Sequence, residues 1–398
     1  MIKPSISYFL RREWPLLIIM VLGVSEIFGA FSLYILILLL PLLVFNSNSI
    51  KILKDSLVYY ILGFSISYVA LLYLNKLDRG PSYSIYTLLY PIIFYLIGKR
   101  IGKYNSKYIL IFFLILFVSF EFITILFSII SINKGGIINT SRSFIDITGF
   151  DFSATLYGVN VSLGLAGLPL IFVTSTNKAE KVFKYMFFLL GILSLMVNIQ
   201  LLNRTGIIIV LANFLLLMMI FFKNKKFSSG TIVTILIFLI AIIYIIHLNP
   251  DIINAYAKRN ENTSETLLNG GDRFNRWSNA LADIYKHPFG GGVYMYNVRF
   301  YAHNLWLDVV EICGFIPFTF LFIGTIKAIK LNIKCVNNQN KYSFFFRCYI
   351  AMLGLTFFLQ CSMEPIMEGA LLYFCLYMLF WGIIRSSSFR FVSKNNSI

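Results

Sequence analysis

Long apolar runs separated by short charged segments recur along the whole 398-residue chain. Their lengths suit a bilayer core of about 30 Å, which a helix of roughly 20 residues crosses. The pattern predicts about twelve such helices, at 14–28, 31–45, 56–74, 81–97, 108–131, 152–174, 185–202, 205–222, 231–248, 304–326, 344–362 and 369–385. Glu26 and Gly29 mark the turn that divides Trp14 to Phe45 into the first two. The expected fold class is therefore all-α, a polytopic membrane protein with a single integral membrane domain over 1–398. Two polar interruptions stand out by length, 132–151 and 249–303. Loops that long in a compact domain usually carry function.

Composition agrees with the pattern. Hydrophobic residues make up 58% of the chain and charged ones 13%, which does not describe a water-soluble surface. The formal net charge of +17 raises nucleic acid as a partner. The Lys and Arg residues are scattered through short loops, however, and form no basic stripe with interleaved aromatics, which excludes that class. Their distribution instead orients the chain. With the N-terminus in the cytoplasm, inside segments such as those with Lys99, Arg100 and Lys103, or Lys178, Lys181 and Lys184, hold about twice the basic residues of the outside ones. Both termini are expected inside, in a bacterial inner (cytoplasmic) membrane, with 249–303 as a large periplasmic loop and 132–151 as a shorter one. The N-terminal apolar stretch runs past signal-peptide length without an A-x-A site and reads as the first anchor. Cys313, Cys335, Cys348, Cys361 and Cys375 show no metal-binding or disulfide spacing and read as small buried hydrophobes.

The stretch Gly271 to Pro317 concentrates Arg, His, Gly and aromatic residues where the rest of the chain is apolar. Asp272 can cap a short helix through Tyr285, with Phe274, Trp277, Leu281 and Ile284 on one face and Arg273, Arg276 and Asp283 largely on the other. This predicts an amphipathic helix on the outer membrane surface. Pro288 and Gly290, Gly291 and Gly292 end it and predict a flexible return into the next span.

Polar groups at the outer membrane boundary need partners or a task. Arg204, in the turn Asn203-Arg204-Thr205-Gly206, either snorkels, as Arg near helix ends does, or works outside, where an orientation charge does not belong. Arg273 and Arg276 are either the solvated face of the loop helix or anion binders. A guanidinium offers a planar fork of donors that matches phosphate oxygens, so two from different segments can hold a pyrophosphate, with Arg142 as a third candidate. His303, followed by Asn304, is a structural boundary residue or a general base for a sugar hydroxyl, and Asp308 and Glu311, within two turns, either orient it or form ion pairs with an Arg at the span edge. Tyr294, Tyr296, Phe300, Tyr301 and Trp306 can stack on sugar rings or form an interfacial belt. Glu26 and Glu121 lie in apolar spans and require partners. Glu364 and Glu368, with no His or Cys beside them in sequence, make a poor metal site.

Arg276-Trp277, His287-Pro288-Phe289-Gly290, Ala302-His303-Asn304-Leu305 and Glu311-Ile312-Cys313-Gly314 resemble the O-antigen ligase and O-antigen polymerase family of bacterial envelopes. Asn203-Arg204-Thr205-Gly206 resembles that family's Ser-Arg-Gly turn, with Asn203 and Thr205 as departures. The resemblance implies an enzyme: a metal-independent, cofactor-free glycosyltransferase whose donor is an undecaprenyl-pyrophosphate-linked oligosaccharide. It makes Arg204 and Arg276 stabilisers of the departing pyrophosphate and His303 the group that orients or deprotonates the acceptor hydroxyl. Arg142, Arg273, Asn304, Trp277 and Tyr301 are the substrate-binding residues expected around them. Besides the lipid-linked sugar and membrane lipid, a chain-length regulator protein is a partner this family admits. A polymerase joins repeat units on the lipid carrier, whereas a ligase transfers the polymer to lipid A core. The departures at Asn203 and Thr205 favour the more variable polymerases. A third class, a flippase or transporter of lipid-linked oligosaccharide, would show related halves, interrupted helices and intramembrane charges.

Overall fold

The computed structural model describes residues 6–29, 31–44, 55–77, 79–135, 143–145, 151–224, 240, 254, 257, 272–291 and 302–389. Helices dominate: α1 (Ile6–Val24), α2 (Phe31–Ile35), α3 (Leu39–Val44), α4 (Ser56–Leu74), α5 (Pro81–Ile101) and α6 (Ser106–Gly135) come first. A hairpin of two three-residue strands, β1 (Ser143–Ile145) and β2 (Asp151–Ser153), pairs antiparallel with Ser143 opposite Ser153. Then follow α7 (Ala154–Asn160), α8 (Ser162–Leu165), a 3-10 turn (Leu168–Phe172), α9 (Lys178–Gln200) and α10 (Arg204–Lys223). The remaining helices are α11 (Asp272–Lys286), α12 (Leu305–Cys313), α13 (Phe315–Asn337), α14 (Phe344–Met363), α15 (Ile366–Gly369) and α16 (Leu371–Phe389).

Among the described residues six helices are long and apolar enough to cross a membrane: α4, α6, α9, α10, α13 and α14. This supports a multi-pass membrane protein. Three expected spans are not continuous helices. Residues 31–45 form α2, a 3-10 turn at Leu36–Leu38 and α3, where Pro41 supplies no N–H for a helical bond. Residues 152–174 begin as a strand and continue as α7, α8 and the 3-10 turn, a path broken at Val161 and at Ala166 and Gly167. Residues 304–326 divide at Gly314, whose φ of +75° ends α12 before α13 begins. The expected span at 231–248 lies almost wholly outside the described residues, as do most of 249–271 and 292–301 of the long loop, and 136–142 and 146–150 of the shorter one.

The chain divides into two compact units. The first holds Met1–Phe120, Arg276–Tyr342 and Cys361–Ile398. Here α5 and α16 run in the same direction in backbone contact. Gly98 lies against Leu379, Gly102 against Ile383, and Gly382 against the Tyr95 carbonyl, places where a Cβ would collide with main chain. Gly98 and Gly102 form the small-xxx-small spacing that lets membrane helices approach closely. Helix α13 packs on α4 and α16, with Gly63 facing the Phe320 ring and Gly324 facing Trp381. At one end of this unit Asp55, the N-cap of α4, accepts from Lys99 (2.7 Å) and Tyr95 (2.8 Å) and pairs with Arg385 (2.9 Å). Nearby interactions join Glu13 to Arg100 and Tyr104, and Lys341 and Tyr342 to the Ser387 carbonyl. Asp55, Lys99, Arg100, Lys341 and Arg385 come from segments that the charge pattern assigns to one side.

The second unit holds Glu121–Asn275 and Ser343–Gln360. Leu165, Leu168, Ile209, Val210 and Phe214 form its core, with Phe172, Leu195 and Leu359 against it. Glu121, fully buried, accepts from the Gly164 backbone N–H (2.6 Å) and the Ser194 hydroxyl (2.7 Å). The carboxylate thus satisfies an N–H at the broken segment, which is how irregular backbone is tolerated inside a membrane domain. Asn213 donates to Thr356 (2.8 Å), and Ser128 bonds Gln200.

Candidate functional site

Helix α12 begins with an Asn cap. Asn304 Oδ1 accepts from the N–H groups of Trp306 (3.0 Å) and Leu307 (3.3 Å), satisfying donors that an isolated helix leaves open. Asp308 answers from inside the helix, accepting from Ala302 (2.8 Å) and Asn304 (3.2 Å). Burial pushes the Asp308 carboxyl up to about 8, against the opposing pull of those N–H groups. Burial, with Asp283 behind it, likewise raises Glu311 to about 7. Both residues lie outside the six candidate spans. Asp308 is therefore a backbone cap: its two oxygens serve Ala302 and Asn304.

His303 sits between these pinned residues with φ at +54°, a left-handed conformation that few non-glycine residues adopt. The carbonyl of Ala302 accepts from Trp277 Nε1 at 2.7 Å, so α11 holds the same boundary from the other side. Backbone on both flanks fixes where the imidazole points. Its buried Nδ1 lies 3.8 Å from Glu364 Oε2, and the Glu364 side chain is 3% exposed.

Glu364 belongs to the turn where Pro365 ends α14 and a single helical turn, α15, leads into α16. Side chains from two other segments anchor this turn. Asn304 Nδ2 donates to the Ser362 carbonyl (2.9 Å) and Trp306 Nε1 to the Ser362 hydroxyl (3.3 Å). Tyr83 OH donates to the Met367 carbonyl (2.8 Å). Arg79 pairs with the Glu368 carboxylate, donates to its carbonyl (3.1 Å) and lies over the Tyr83 ring. Glu364 and Glu368, spaced i to i+4 in sequence, meet different partners, and the His beside Glu364 comes from a distant segment of the chain. Pro365 breaks the helical spacing, sending one carboxylate to His303 and the other to Arg79.

The described part of the return after α11, up to Gly291, is pinned against α12, and 292–301 lie outside the described residues. Gly290 and Gly291, with φ of +84° and +75°, let the chain turn back onto α12. There the Gly291 N–H donates to the Ile312 carbonyl (3.2 Å) and the Phe315 N–H to that of Pro288 (2.9 Å). Asn75 Nδ2 bridges the carbonyls of Phe289 and Ile312, both at 3.0 Å. Helix α11 spans the expected residues; among its described side chains Ala280 and Ile284 are buried while Leu281 (51%) and Tyr285 (87%) face outward. Arg276 is half-buried on it.

The first unit thus brings Trp277, His303 and Asn304 together and adds Arg79, Glu364 and Glu368, which sequence reasoning did not place at a site. Arg204 stands in the second unit as the first residue of α10 and is half-buried. Leu202, at φ +51°, makes the tight turn before it, and Asn203 Oδ1 accepts from the Thr205 N–H (3.0 Å). A cation at a helix N-terminus adds to the positive end of the dipole, an arrangement suited to an anion. Arg142 and Tyr301 lie outside the described residues, as does the side chain of Arg273. Among the described residues no three His, Cys, Asp or Glu gather in a way that could hold a metal ion. Set against known proteins, the sequence matches no family model and no curated protein.

Proposed function

We propose that this chain is a surface-polysaccharide (O-antigen-type) polymerase, joining undecaprenyl-pyrophosphate-linked repeat units at the periplasmic face of a bacterial inner membrane. The observation that carries the reading is His303: an imidazole at a polar boundary, held in a left-handed conformation by Trp277 and Asp308 and faced by a buried carboxylate. A non-glycine residue in that conformation is costly, and such residues cluster where function uses them. In the proposed reaction an acceptor hydroxyl oxygen attacks the anomeric carbon of the donor sugar. The bond from that carbon to the pyrophosphate oxygen breaks, its electron pair leaves with the pyrophosphate, and the hydroxyl proton passes to His303. Arg276 answers the charge that develops on the leaving group, an effect worth most in a site shielded from bulk water. The route needs neither metal nor nucleotide sugar.

One observation favours a second reading. The broken segment at 154–172, with Glu121 at Gly164, is the kind of interrupted path that transporters use. Deleting the gene and resolving the cell's polysaccharide on a gel separates the readings. Loss of a polymerase leaves core carrying one repeat unit. Unmodified core with polymer still on the carrier means a ligase, and unmodified core without polymer means a transporter of the lipid-linked unit. An unchanged profile removes all of them.

A further inference from the structure

A general base needs a partner that fixes its ring and tolerates the charge it acquires. Asp308 and Glu364 both belong to the first unit with His303, and they differ in what they hold. Asp308 spends its two oxygens on the N–H groups of Ala302 and Asn304. Glu364 points an oxygen at His303 Nδ1 across 3.8 Å, outside hydrogen-bond range but inside that of an ion pair. It is also held in place: Ser362 on one side of it is bonded by Asn304 and Trp306, and Met367 and Glu368 on the other by Tyr83 and Arg79. We propose that Glu364 is the positioning residue of His303, holding Nδ1 inward so that Nε2 faces the acceptor.

The inference rests on His303 being the base of the proposed reaction. In the transfer step the acceptor O–H bond breaks and its proton forms a bond to Nε2. The imidazolium then carries its second N–H on Nδ1, where the Glu364 carboxylate receives it as a charge-assisted hydrogen bond. Catalytic hydrogen bonds that are long in the free enzyme shorten in the reacting complex, so 3.8 Å marks the resting separation. Arg79 contributes indirectly. By binding Glu368 it anchors the turn and keeps that second carboxylate paired.

The test uses the full-length protein in liposomes and, as donor and acceptor, the lipid-linked repeat unit extracted from the deletion strain. Rates are measured for Glu364→Gln, His303→Ala and the double variant. The expected result is a drop in kcat of at least about tenfold for Glu364→Gln with KM little changed, and no further loss when it is added to His303→Ala. Parent-level turnover by Glu364→Gln beside an inactive His303→Ala overturns the positioning role and leaves the function standing. A further loss in the double variant also overturns it, since Glu364 would then act by another route. Parent-level turnover by His303→Ala overturns the base itself, and the positioning role with it. If Glu364→Gln fails to accumulate in the membrane, Glu364→Asp decides. It keeps the charge and should turn over faster than His303→Ala, and equality with His303→Ala would overturn the proposal.

Discussion

At Arg276 a planar fork of donors, and not charge alone, is what a pyrophosphate would engage. Arg276→Lys should therefore abolish polymer on a gel while the protein persists in the membrane, and full-length polymer from the Lys variant would remove the clamp. Arg79 makes a different prediction. Its Glu368 partner is 3% exposed, so Arg79→Ala strands a buried carboxylate. Breaking a fully buried pair costs about 3–5 kcal/mol; with Arg79 itself 30% exposed, a loss on the order of 2 kcal/mol is expected, read as a lower unfolding midpoint in detergent. Neither Arg79 nor Glu364 was legible as a site residue in the sequence. Arg79 is 289 positions from Glu368, and a partner at that distance leaves no local pattern. His303 and Asn304 were legible because the cap, the aromatic run and the polar boundary fall within one short stretch.

Helices α4, α6, α9 and α10 could be read from their apolar runs because a long helix satisfies its own backbone, so length and composition suffice. The breaks could not. An apolar window looks the same whether the chain is continuous or interrupted, and what permits the interruption comes from elsewhere: Glu121 for Gly164, and Pro288 for the chain after Gly314. The element scale accordingly carries its own test. At Gly314, with φ +75° and main chain of Pro288 and Phe289 where a Cβ would go, Gly314→Ala should separate α12 from the Pro288–Gly291 turn. Polymer synthesis should fall at normal expression. At Gly98 a Cβ would meet the Leu379 carbonyl, so Gly98→Ala must part α5 from α16 and should cost about 1–3 kcal/mol, measured as a lower unfolding midpoint.

For the molecule as a whole, segments that the charge pattern puts on one side also share hydrogen-bonded clusters in the first unit. Asp55, Lys99 and Arg385 meet in one cluster, while Arg79, His303, Glu364 and Glu368 gather around one turn in another. Every member of the first comes from segments assigned inside, and every member of the second from segments assigned outside. With the five buried cysteines replaced, Lys286→Cys should react with an impermeant thiol reagent from the periplasmic side, and Gln339→Cys only after permeabilisation. The reverse labelling would invert the molecule and detach the site from its substrate. Glycosyl transfer itself can be watched with purified protein in liposomes supplied only with the lipid-linked repeat unit. A polymerase should give lengthening glycan on the carrier, one undecaprenyl pyrophosphate released per bond formed, and silence from His303→Ala. Repeat units that cross the bilayer without lengthening would contradict it.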